Sequence, residues 1–141
     1  MAIATRTLKD TAIASGSGAA GGKVTVLVNM NDNTAADELI LNASALSGHA
    51  NGAKLDITRI WWGLVQGTAD DNTGWASIIF EGDSDVTAIN LAGTGHYDGT
   101  AGKITNSATN TGASSGDINL SAYGVSGYIL IELRKDGSFT A

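Results

Sequence analysis

Alternation of apolar and polar side chains is the dominant signal in this chain. In "KVTVLVNMN", Val24, Val26, Val28 and Met30 fall on one side and Thr25, Leu27 and Asn29 on the other, the period of two that marks a half-buried strand. "WASIIFEG" repeats the pattern, with Ala76, Ile78 and Phe80 opposed to Trp75, Ser77 and Ile79. So does "SGYILIELRKDG", with Ile129, Ile131 and Leu133 opposed to Tyr128, Leu130, Glu132 and Arg134. Further strands are predicted at Leu39–Asn42, from Lys54 to Val65, and in "DVTAINL", "KITNS" and "DINLSAYG". The segment "NTAADELILNASAL" also fits a helix capped by Thr34, and the strand is preferred. Turns are marked by Asn51-Gly52, a type I′ hairpin signal, by "QGTADDNTG", by "GTGHYDGTAG" and by "ATNTGASSG". About eight short strands spaced by such turns predict an all-β fold, an antiparallel β-sandwich of jelly-roll-like form.

Residues 1–22 show no period and end in "ASGSGAAGG", so they are expected to form a flexible N-terminal arm ahead of a domain over 23–141. Gly16, Gly18 and Gly21 match G-x-G-x-x-G, but the next segment is a strand rather than the helix that a pyrophosphate site requires. The arm carries apolar residues at Ile3, Leu8 and Ile13 and positive charge at Arg6 and Lys9, which are the parts of a latch onto a neighbour.

One segment breaks the one-sided pattern. In "ITRIWWGLVQG", Ile60, Trp62 and Leu64 make one face, while Ile57, Trp61 and Val65, with Arg59 among them, make the other. Two adjacent tryptophans cannot enter the same core from one strand. Trp62 is therefore assigned to the core and Trp61 to the edge of the domain or an interface, where tryptophan is a common hot spot. A sheet apolar on both faces is expected to be covered twice, which predicts a homo-oligomer or another protein neighbour.

Composition narrows the chemistry. Eight lysines and arginines against 14 aspartates and glutamates give a net charge of -6, which argues against a nucleic-acid or membrane-surface partner. The chain of 141 residues has no cysteine and no proline, so disulfides, thiolate metal sites and cysteine nucleophiles are excluded. No segment reads as a signal peptide or membrane helix, which predicts synthesis in the cytosol. His49 and His96 lie in glycine-rich turns without metal spacing, and no G-x-S-x-G elbow accompanies the many serines. Glu81, Asp83 and Asp85, with Asp70, Asp71 and Asn72, offer oxygen ligands of the kind Ca²⁺ takes, yet aspartates beside glycine more often cap their own turns. No catalytic residue, cofactor or metal is assigned.

The order "WASIIFEGDSDVTAINLAGTGHYD", "GKITNSA", "SGDINLSAYG", "GYILIELRK", from Trp75 to Lys135, resembles small virion structural proteins of tailed bacteriophages. The resemblance rests on framework motifs and implies no catalytic site. It implies a non-enzymatic capsid decoration (cement) protein on the outer capsid surface, binding the major capsid protein and working as an oligomer, a trimer being the expected state. A carbohydrate-binding or receptor-binding module of a tail or neck protein is the alternative. The interface residues expected from the sequence are Ile3, Arg6, Leu8, Lys9, Ile13 and Trp61.

Overall fold

The alternating segments join one antiparallel sheet of seven strands, as the computed structural model shows over residues 3–11, 22–48, 54–66, 74–108, 116–136 and 139. In chain order these are β1 (Ala4–Asp10), β2 (Lys23–Leu41), β3 (Leu55–Gln66), β4 (Trp75–Phe80), β5 (Val86–Ala92), β6 (Thr94–Tyr97) and β7 (Ile118–Lys135). The fold is all-β and sandwich-like, and the only helical element among the described residues is the 3-10 turn Ala43–Ala45.

Two strands are much longer than their sequence pattern suggests. β2 spans 19 residues and β7 spans 18, each fusing two segments that read separately in the sequence. They pair with each other along most of their length and so run through both halves of the sandwich. The first half has the order β1-β2-β7-β3-β6. In the second half the end of β2 and the start of β7 continue into β4, and β4 pairs with β5.

The two halves meet where the β2–β7 register shifts, between Met30 and Glu38. Asp32 and Asp37 hold positive φ there, and Gly124 and Gly127 do so on β7. Bulges remove ladder bonds and curve a strand, and side chains replace what is lost. Asp32 N donates to Ser126 Oγ (2.8 Å), Gly124 N to Thr34 Oγ1 (3.0 Å) and Asp37 N to Ser121 Oγ (3.1 Å).

The predicted inward faces form one core. Val24, Val26, Val28 and Met30 meet Ile129, Ile131 and Leu133 in the first half, and Ala76, Ile78 and Phe80 meet Ile118 and Leu120 in the second. Fully burying each large aliphatic side chain contributes about 1.5–3 kcal/mol, so this cluster is the main source of stability. The halves are also tied by the 42–48 segment: Ala43 N donates to Asp117 Oδ1 (2.7 Å) and Ser47 N to Asp10 Oδ2 (2.9 Å).

Three sequence expectations are corrected. Residues 4–10 pair with β2 as an edge strand instead of extending as an arm, while 12–21, with the glycine motif, lie outside the described residues. "GTGHYDG" is not all turn: Thr94–Tyr97 pairs with β3, and Gly95 allows it because the Trp62 ring occupies the space a Cβ would need. "KITNS" contributes only an isolated bridge, Ile57 to Ile104. Asn51-Gly52 lies outside the described residues.

Candidate interaction face

β3 carries a bulge between Ile57 and Arg59, and it changes the phase of the strand. Leu55 and Ile57 point inward before it, and Ile60 and Leu64 after it, all buried. Ile57 therefore belongs to the core, contrary to its expected place beside Trp61. Trp62 packs against the core and its Nε1 donates to the Ala92 carbonyl (3.0 Å). Trp61 takes the outer face, as its odd position requires.

Antiparallel register lines up residues of neighbouring strands on one face. Through Trp61 the line runs Arg6, Leu27, Leu130, Trp61, His96 across β1, β2, β7, β3 and β6. The next line is Asn29, Tyr128, Gly63 and Thr94, in which the Tyr128 ring lies over Gly63 and Tyr128 is 41% exposed. On the other side follow Lys9, Thr25, Glu132 and Arg59, and then Lys23, Arg134 and Asp56. The outer face of the first half thus has an apolar middle and a charged end.

At the charged end a cleft of about 380 Å³ is lined by residues including Lys23, Arg59, Lys103, Arg134, Asp98 and Glu132. Thr58 Oγ1 donates to Glu132 Oε1 (3.1 Å), and Arg59 Nε stands 3.9 Å from the same oxygen. Lys103 Nζ binds Asp56 at 2.7 Å, and Asp56 also accepts from Asn106 N (2.9 Å). The side-chain and backbone hydrogen bonds of Thr100 hold the Asp98 carboxyl below the usual range, so it stays ionised at the rim.

Of the expected interface residues, Arg6 and Trp61 fall in one line and Lys9 two residues from it in register. Leu8 lies in the irregular stretch of β1 between Thr7 and Lys9 and is 52% exposed. Ile3 is a correction: it is buried in the chain's own core and is not available to a neighbour. Ile13 lies outside the described residues. The sequence-based list omits Leu27, Leu130, Lys23, Arg59 and Arg134, although each stands at an outward position of an alternating strand.

The acidic turn has a different character. Gly82 N donates to Asp85 Oδ1 (3.3 Å), the self-capping expected of such a turn. Among the described residues no group of three or more His, Asp or Glu is arranged to hold a metal; Asp70, Asp71, Asn72 and His49 lie outside them. Burial, then the charge of Asp117 and a hydrogen bond to it, then Asp85 and Asp37, push the Glu81 carboxyl above its ordinary value. The folded chain therefore keeps a proton that the unfolded chain releases above about 4.5, and stability falls as pH rises through that window. Glu81→Gln is expected to melt at or above the wild-type temperature at neutral pH, with the difference shrinking in acid. Melting curves across that range check it, and a loss of stability at neutral pH would show that the carboxylate is needed.

Trp75, the third tryptophan, is stacked on Tyr123 with ring centroids 3.9 Å apart. Trp61 is thus the tryptophan left to the outer face of the first half. Comparison with protein-family models, curated proteins and solved structures gives no match to this chain.

Proposed function

We propose that this protein is a non-enzymatic structural protein of a tailed-phage particle, a head-decoration protein that docks on the major capsid protein through the outer face of the β1-β2-β7-β3-β6 half. The observation that carries this reading is the Arg6, Leu27, Leu130, Trp61, His96 line, which sets a large aromatic ring among aliphatic side chains on the face turned away from the core. Leu27, Leu130 and Trp61 are half-buried against one another on three adjacent strands, and covering what they still expose is favourable. Such a role needs a stable framework and a docking surface, and it fits the framework motifs from Trp75 to Lys135. Self-association into a trimer belongs to the same reading and is checked by light scattering.

The test is co-sedimentation with phage heads assembled without this protein. Wild type is expected to bind. Trp61→Ala is expected to stay folded and weaken binding by about 30-fold, the effect of a hot spot worth about 2 kcal/mol. Heads that ignore the wild type, or bind the variant equally well, would sink the proposal. A sugar-binding role uses the same ring, because Trp75 and Trp62 are engaged within the chain; glycan binding that is lost in Trp61→Ala, without head binding, would select it.

A further inference from the structure

The chain is acidic, yet its cations are gathered. Arg6, Lys9, Lys23, Arg59 and Arg134 all stand on the outer face of the first half by register, and Lys103 joins them at the cleft. Of the remaining two of its eight lysines and arginines, Lys135 is buried inside the fold and Lys54 precedes β3. Against them this face sets Glu132 and Asp98, while Asp56 is already held by Lys103 and the Asn106 N–H. The face is therefore positive on a molecule whose net charge is -6.

The Arg59–Glu132 pair does not explain the gathering. Arg59 reaches Glu132 only at 3.9 Å and its side chain is 53% exposed. Exposed pairs of this kind contribute about 0–1 kcal/mol, too little to account for placing so many cations together. Gathered charge instead acts on approach: it steers an oppositely charged partner to one face while the rest of the molecule repels it.

We infer that the outer face of the first half recognises an acidic polypeptide segment, with carboxylates seated at the Lys23 and Arg59 end and an apolar side chain on the Leu27, Leu130, Trp61 line. The line favours a polypeptide over phosphates or sulfates, because acidic side chains bring methylene groups to Leu27 and Leu130 along with their carboxylates, and phosphates or sulfates bring none. Nucleic acid is further disfavoured by the net charge of -6. This inference rests on the docking role proposed above and adds the chemistry of the partner surface.

Poly-L-glutamate is the probe, titrated against the full chain at about 20 mM and about 500 mM salt, since exposed charge contacts are screened at the higher value. Binding is expected at low salt and lost at high salt. The double variant Lys23→Gln, Arg59→Gln neutralises two exposed side chains and is expected to bind at least about tenfold more weakly with its melting temperature little changed. Absence of poly-L-glutamate binding at low salt would overturn the inference. So would equal binding by the double variant, or binding of heparin where poly-L-glutamate fails. The head co-sedimentation assay separates the two ideas. Heads bound through Trp61 but indifferent to the double variant would remove the acidic partner and leave the docking role. Poly-L-glutamate binding lost in the double variant, without head binding, would do the reverse.

Discussion

Gly127→Ala is expected to destabilise the fold by about 4 kcal/mol, a large share of the roughly 5–15 kcal/mol that holds a domain together. Gly127 lies on β7 where the strand passes the end of β3, with φ at +128°. A Cβ there would stand 1.9 Å from the Gly63 carbonyl oxygen and 3.2 Å from Leu64 Cα. Both are backbone atoms of β3 and neither can swing aside as a side chain could. Backbone strain of this kind costs about 1–3 kcal/mol and forced displacement of a packed element about as much again. Gly102 is the control: its φ is +115°, but nothing lies within 4 Å of the added atom. Gly102→Ala carries only the strain, so chemical denaturation should show it losing much less. Equal losses in the two variants would mean that the close approach of β7 to β3 does not matter.

The same region shows why the long strands were not legible in the sequence. Alternation identifies Ile129, Ile131 and Leu133 as inward, and they are buried. It also makes "DINLSAYG" a separate strand, because Gly124 and Gly127 interrupt the period. The backbone continues through them, pairing with β4 before Gly124 and with β3 after it. β2 fuses in the same way around Asp32 and Asp37, whose positive φ no alternation rule anticipates.

β1 was hidden for the opposite reason. Every residue of Ala4–Asp10 is exposed, so the strand has no amphipathic pattern to detect. It is held by its ladder to β2, by Ile3 in the core and by Asp10 at its end. The candidate face divides along the same lines. That Trp61 and Trp62 part company follows from period two alone. That Arg6 lies in line with Trp61 depends on the registers of β1, β2, β7 and β3 together, and long-range register is not written in any local stretch. The bulge at Thr58 shows the limit within a single strand: one extra residue moved Ile57 from the outer face to the core.

Lys135→Met is expected to lower stability by about 3 kcal/mol and to loosen β1 first. The Lys135 side chain is 0% exposed, and its Nζ donates to Asp10 Oδ1, to the Thr11 carbonyl (2.9 Å) and to the Ser47 carbonyl (2.7 Å). The ammonium also lies 5.4 Å from the centre of the Phe139 ring. One buried cation thus joins the end of β1, the 42–48 segment and the end of β7. Methionine keeps the volume but removes the charge, leaving a carboxylate and two carbonyls without this donor. Breaking a buried pair from one side costs about 3–5 kcal/mol. The lower value applies because the Asp10 side chain is 25% exposed and water can reach it. Asp10→Ala should cost less than Lys135→Met, and the double variant less than the sum of the two, with a coupling of about 1–2 kcal/mol. Additive losses would show that the two side chains do not act as a pair. Hydrogen exchange should report faster opening at Ala4–Asp10 in Lys135→Met than in the β2–β7 ladder, since among the described residues β1 has one neighbouring strand. β1 supplies Arg6 and Lys9 to the outer face, so the variant should also weaken head binding in proportion to the opening of β1, without any change at Trp61.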